Sequence, residues 1–119
     1  QTEYKLVNKI KKNLGHILFS FNRKTGEYLI KRGHTEIGYL KGSYRIKAFG
    51  SRSVGLQIAM KKHNLSLKPE YIVTLPVTMD DAYQQMLKYL DRNLKLPTAF
   101  FADNNIGKNF SCKMDLNSL

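Results

Sequence analysis

The sequence contains a single cysteine, Cys112, among its 119 residues. One thiol cannot form an internal disulfide and leaves no second sulfur ligand for a cysteine-based metal site. The three histidines, His16, His34 and His63, fall on different predicted elements and lack the spacing of metal ligands. We therefore expect no metal and no cofactor, and this cysteine usage is typical of a reducing compartment.

Long hydrophobic runs are also lacking. No apolar segment approaches the roughly 20 residues that are needed to cross a bilayer. The opening stretch, QTEYKLVNKIKKN, carries charges where a signal peptide has its apolar core. We therefore expect a cytoplasmic protein with no membrane partner.

Several catalytic and nucleotide-binding motifs are missing. After Leu40 the chain reads KGSYRIKAFGS, which is not the glycine pattern of a dinucleotide-binding turn. No serine lies in a G-x-S-x-G elbow. The adjacent Asp80 and Asp81 lie at a predicted helix start, where the helix dipole accounts for them better than acid-base catalysis does. Nothing in the sequence indicates an enzyme.

Acidic residues are few, 9 against 20 lysines and arginines, which gives a net charge of +11. Such a surplus can indicate a nucleic-acid partner, because lysine and arginine bind phosphates with release of counterions. The alternative is a solvated, lysine-rich surface. The alternative is favoured because the 15 lysines and 5 arginines are spread along the chain. No recognition helix or aromatic-basic RNA-binding motif accompanies them.

The hydrophobic pattern alternates between strand-like and helix-like segments. It predicts helices over residues 3–13, 25–32, from about 51, and 78–92, and strands over residues 16–21, 37–40, 71–75 and 98–102, with a loop at 22–24. Alternating strands and helices predict an α/β fold in which a parallel sheet is flanked by helices. Ligands of such sheets bind outside the carboxyl ends of the strands, so function is expected in the loops there.

Polar side chains concentrate in two of these loops, which we expect to face each other at one edge of the sheet. The candidate ligand-binding residues are Ser43, Tyr44, Arg52, Asp103, Asn104 and Asn105. Guanidinium and carboxamide groups beside aromatic rings suit a polyhydroxylated ligand, because bidentate donors match neighbouring hydroxyl groups. The alternative for Arg52 is a helix cap or a salt bridge.

Three segments, in the right order, resemble the effector-binding core of the LacI/GalR transcriptional repressors. The first is GEYLIKRGHTEIGYLKG, the second is Arg52 three residues ahead of Gly55, and the third is PTAFFADN. The resemblance covers roughly residues 26–105. It implies a periplasmic-binding-protein-like fold of type I, with two α/β subdomains and a sugar or nucleoside effector in the cleft between them.

The resemblance also implies roles for individual residues. Arg52 stands at the family's effector-binding arginine, and Asn104 and Asn105 stand at the asparagine and aspartate of its A-N-D motif. Asparagine in place of aspartate removes a carboxylate that accepts hydrogen bonds from two sugar hydroxyl groups. The intact parent protein, of which this chain would be one part, is expected to be a homodimer. It is expected to bind operator DNA only through an amino-terminal domain absent from this sequence.

The resemblance divides the chain into parts of two subdomains. Residues 1–24 are predicted to end the amino-terminal subdomain, and residues 25–119 to be part of the carboxyl-terminal, effector-binding one. The family has another strand where residues 22–24 form the whole connection, and its complete core is longer, so we expect a truncated chain or fragments run together. The tail, residues 106–119, lacks the apolar helical pattern that the family has there and stays unassigned.

The sequence is compatible with three functions. The leading one is the ligand-sensing domain of a LacI-type repressor. The second is a sugar-binding protein of the same fold with no role in DNA binding. The third is a small, basic nucleic-acid-binding protein, which would lose affinity steeply as salt rises.

Overall fold

The computed structural model describes residues 2–21, 25–42, 51–92, 95–102 and 105–116, with side chains for all of these except 2–4, 25, 51–53 and 105. The helices are α1 (Thr2–Leu14), α2 (Thr25–Lys31), α3 (Ser51–Lys62), α4 (Met79–Arg92) and α5 (Asn105–Lys113). The strands are β1 (Leu18–Ser20), β2 (Ile37–Gly42), β3 (Ile72–Leu75) and β4 (Ala99–Ala102), and Pro69–Tyr71 forms a short 3₁₀ helix. The predicted strands and helices are confirmed, whereas the loop predicted at 22–24 lies outside the described residues.

The strands form one parallel sheet in the order β1-β4-β2-β3. In this order β4, the last strand of the chain, lies between β1 and β2. Its first residue, Ala99, is the register partner of both Leu18 and Ile37. The predicted α/β fold with a parallel sheet is confirmed. The division of the chain into two subdomains at residue 24 stays a prediction about the parent protein. Within the described residues, β1 belongs to the same sheet as the later strands.

Helices cover both faces of the sheet. On one face α1, α4 and α5 pack against a core that includes Phe19, Leu40, Phe100 and Ala102. On the other face α2 and α3 pack against a second core, which includes Tyr39 and the remaining β4 residues. All four residues of β4 are buried, as expected for a central parallel strand that is covered on both sides.

Glycine is required at two positions by the surrounding backbone and side chains. Gly33 has a φ of +93°. It ends α2 by donating from its N–H to Ile30 O at 2.9 Å, while His34 N–H donates to Leu29 O at 3.0 Å. Gly38 lies in β2 under the Phe100 ring. A Cβ atom there would lie 2.6 Å from Phe100 Cδ1.

The expectation that the tail lacks helical periodicity is wrong. Residues from Asn105 to Lys113 form α5, and its Phe110 is fully buried. Ile106, Phe110 and Met114 recur every four residues and pack on the core beside α4. Gly107 and Ser111 are small and lie on the same buried side of α5. The segment therefore has too few large apolar residues for its sequence to show a helical pattern.

Candidate functional site

The carboxyl ends of the four strands meet at one edge of the sheet. The register pairs Gly42 with Leu75 and Leu40 with Ala102, so β2, β3 and β4 end side by side. Helices α2 to α5 each follow one of these strands and carry the chain back towards the opposite edge. Their amino termini therefore gather around the carboxyl edge of the sheet.

A crevice is expected between β2 and β4. The helix after β2 is α3, which packs on the face of Tyr39 and Phe101. The helix after β4 is α5, which packs on the opposite face with Phe100 and Ala102. The chain thus leaves these two neighbouring strands towards opposite faces of the sheet. This topological switch point is where ligands of open α/β sheets bind.

The helix termini beside this crevice favour oxygen-rich or anionic groups. The amino end of a helix carries a partial positive charge and unpaired N–H donors. No acidic residue lies in the first turn of α3 or of α5. The first turn of α4, by contrast, contains Asp80 and Asp81. The positive potential at the switch point is therefore not offset by the helices' own carboxylates.

The predicted ligand-binding residues belong to the segments that follow β2 and β4 in the chain. Arg52 is the second residue of α3, and Asn105 is the first residue of α5. Their backbone positions are described and their side chains are not. The other four candidates, Ser43, Tyr44, Asp103 and Asn104, lie outside the described residues, in the connections that follow β2 and β4. Their part in ligand binding stays a prediction.

A groove that the sequence does not predict lies between α4 and α5. It is lined by Met79, Asn109, Cys112 and Lys113 and has a volume of about 470 Å³. Cys112 carries an exposed free thiol. The sequence does not predict this groove because the apolar pattern of residues 106–119 indicates no helix there. No signal in the sequence places Met79 beside Asn109.

Two titratable groups with clearly shifted pKa values, Glu36 and Tyr71, lie at the amino edge of the sheet. Glu36 Oε1 accepts hydrogen bonds from Lys68 Nζ and from the Tyr71 hydroxyl, both at 2.8 Å. Lys95 Nζ lies 3.6 Å from the same oxygen. The Lys68 hydrogen bond, followed by that of Tyr71, lowers the pKa of Glu36 to about 2.

These contacts link the starts of β2, β3 and β4. Thr98, which precedes β4, donates its N–H to Glu36 O at 2.8 Å, and its Oγ1 lies 2.7 Å from His34 Nδ1. Burial, followed by the charge of Arg32, lowers the pKa of His34. The cluster lies at the edge opposite the crevice, which indicates a structural role for it.

Two further features, a metal-binding group and a membrane-spanning helix, are absent from the described part of the chain. There, no group of three histidine, cysteine, aspartate or glutamate side chains is placed to hold a metal ion. None of the helices in the same ranges combines the length and apolar content that spanning a bilayer requires.

An open parallel sheet with helices on both faces defines an α/β domain of the doubly wound class. The profile of the periplasmic binding protein-like domain matches residues 27–106. The chain belongs to this family, and the resemblance to the LacI/GalR effector-binding core is confirmed by the similar proteins.

Two of these are curated repressors. The HTH-type transcriptional repressor PurR of Photorhabdus laumondii is 31% identical over 81 residues, which cover 68% of this chain and 24% of the repressor. The PurR of Histophilus somni is 34% identical over 80 residues, which cover 67% of this chain and 24% of the repressor. The chain thus spans about a quarter of the length of the curated relatives it matches.

A solved structure is similar as well. The crystal structure of a LacI transcriptional regulator from Bacillus cereus subsp. cytotoxis superposes with a TM-score of 0.53 at 28% sequence identity. The match covers 79% of this chain and 34% of that regulator.

Proposed function

We propose that this chain is part of the ligand-sensing domain of a LacI-type transcriptional repressor. Its ligand is a small effector rich in hydroxyl groups, a sugar or a nucleoside, bound in a cleft at the carboxyl edge of the sheet. The observation that carries this proposal is the switch point between β2 and β4, because the segments bordering it include the R-x-x-G and A-x-N positions of the resemblance.

The chemistry of the edge supports a ligand of this kind. The first turns of α3 and α5 contain no carboxylate, so their N–H groups and partial positive charge favour ligand oxygens. Arg52 at the start of α3 supplies a bidentate donor that matches two neighbouring hydroxyl groups. Asn105 at the start of α5 supplies one amide donor and one acceptor, and Asn104, Asp103, Ser43 and Tyr44 complete the set.

The proposal extends to the parent protein. The names of the relatives favour a repressor over a sugar-binding protein without a role in DNA binding. The parent would be a cytoplasmic, non-catalytic homodimer that contacts operator DNA through a separate domain. Sedimentation of the intact protein tests the dimer, and a monomer at micromolar concentration would contradict it.

A thermal-shift screen against sugars and nucleosides, followed by calorimetry, tests the ligand. An effector at 100 times its dissociation constant adds about 2.7 kcal/mol to the free energy of unfolding. Arg52→Ala should weaken binding of the effector about tenfold or more, because hydrogen bonds to a charged group contribute roughly 1.5–3 kcal/mol. Lys61→Ala, at the far end of the same helix, is the matched control and should bind normally.

A second variant addresses the departure from the family pattern. Asn105→Asp restores a carboxylate that accepts from hydroxyl groups, so affinity for a sugar or nucleoside should rise. If no compound in the panel binds, or if Arg52→Ala and Lys61→Ala bind equally, the site assignment is wrong.

A further inference from the structure

Five basic side chains lie together on α1 and the neighbouring end of α4. We call this the basic ridge, and it consists of Lys5, Lys9, Lys12, Lys88 and Arg92, all of them exposed. The three α1 lysines are spaced by four and three residues, so they lie on one side of the helix. Lys9 Nζ lies 3.5 Å from Asp91 Oδ1, which places the α4 pair beside them, because Lys88 and Arg92 flank Asp91 within one turn.

The charge of the basic ridge is hardly neutralised. Among the described side chains, Asp91 is its single ion-pair partner, and Lys9 and Asp91 are 55% and 67% exposed. Exposed pairs of this kind contribute little, since water and salt screen them. No further ion pair in the described part of the chain offsets the five positive charges of the basic ridge.

The basic ridge is held in place by the core. Ile10 and Leu14, on the inner side of α1, are fully buried and pack with Met86 and Tyr89 of α4 in one cluster. The lysines are thus presented by a packed helix and not by a loose terminal arm. The three α1 lysines span about 10 Å along the helix axis, close to the axial rise of three nucleotides on one DNA strand.

We propose that the basic ridge binds the phosphate backbone of duplex nucleic acid without reading its sequence. Lysine is a point charge that pairs with phosphate, whereas recognition of bases depends on side chains with paired donors and acceptors.

An anionic membrane is disfavoured as the partner. A helix that binds membranes inserts its apolar side, and the apolar side of α1 is buried in the core. This surface is separate from the crevice between β2 and β4, so the inference does not depend on the proposed effector.

Fluorescence anisotropy of this chain with a labelled DNA duplex of arbitrary sequence, between about 50 and 200 mM salt, tests the inference. Each phosphate contact contributes about −0.9 to the slope of log K against log salt concentration. The variant Lys5→Gln/Lys9→Gln/Lys12→Gln should reduce the magnitude of this slope by about 2.7 if each lysine makes one contact. Glutamine has nearly the helix propensity of lysine, so α1 should persist, which circular dichroism checks.

The matched control removes the same charge from the opposite side of the sheet. Lys31→Gln/Lys61→Gln/Lys62→Gln changes exposed lysines of α2 and α3 and should leave the slope within one unit of the original. Equal losses in the two variants would mean that net charge alone attracts DNA. That result would overturn the proposal, as would no binding at the lowest salt, or tighter binding to phosphatidylserine vesicles than to the duplex.

Discussion

The hydroxyl group of Tyr71 donates a hydrogen bond to Oε1 of Glu36 at 2.8 Å, across the amino ends of β3 and β2. Lys68 Nζ donates to the same oxygen at the same distance. Both contacts stabilise the ionised carboxylate and the protonated forms of its partners. Titration of these groups is therefore coupled to folding, in acid for Glu36 and in alkali for Tyr71.

Acid should destabilise the fold through Glu36. Its pKa is lowered from 4.5 to about 2, so the unfolded chain binds the proton more tightly than the folded one. The stabilisation is present above pH 4.5 and is lost as the pH falls towards 2. Glu36→Gln should lower stability at neutral pH by about 1–2 kcal/mol. Urea unfolding across this pH range measures both effects, and an unchanged pH dependence in Glu36→Gln would contradict the assignment.

Alkali should destabilise the fold through Tyr71. Burial, followed by the hydrogen bond to Glu36, raises its pKa from 10 to about 12. The stabilisation is present below pH 10 and is lost as the pH rises towards 12. Tyr71→Phe should be less sensitive across this window. Tyr89, whose pKa burial also raises to about 12, should maintain part of the dependence. The absorbance of tyrosinate, recorded during unfolding, follows the ionisation of Tyr71 and of Tyr89.

Gly38→Ala should overpack the sheet. The new methyl group would lie 2.6 Å from Phe100 Cδ1 and 2.9 Å from Pro97 Cγ, closer than carbon atoms approach. We expect a loss of about 1–3 kcal/mol in the free energy of unfolding. Phe100→Leu alone should also destabilise, but the double variant should lose less than the sum of the two. Additive losses in this double-mutant cycle would show that the ring and the methyl group do not meet.

Phe110→Ala should show that α5 is part of the core. Phe110 is fully buried, and its ring centroid lies 6.1 Å from that of Tyr83 on α4. Removing it should cost about 3–5 kcal/mol of unfolding free energy. The exposed Lys108→Ala, on the same helix, should change it by no more than about 0.5 kcal/mol. Similar small effects for both variants would mean that α5 does not pack as described.

Thr78→Ala should weaken the start of α4. The Asp81 N–H donates to Thr78 Oγ1 at 3.2 Å, so the threonine acts as the N-cap. Its loss should cost about 1 kcal/mol, whereas Thr78→Ser keeps the oxygen and should be close to neutral. Chemical denaturation compares the two, and equal stabilities would exclude a capping role.

The elements of this fold were predictable because they depend on local patterns. The series from Met79 to Leu90 has the helical period, and Gly33 follows the last turn of α2 as a C′ residue should. The alternation of strands and helices likewise predicted the parallel sheet. The exception was α5, whose buried Gly107 and Ser111 carry no hydrophobic signal although they lie on its packed side.

By itself, the sequence determined the strands, most of the helices and the loops in which to seek a ligand, since hydrophobic period and turn residues act over a few positions. Only the tertiary structure decided that β4 lies between β1 and β2, and hence that the segments following β2 and β4 leave neighbouring strands. It also brought Glu36 to Tyr71, 35 positions away. Strand order and such pairings depend on how both faces of the sheet are covered at once, which no local pattern encodes.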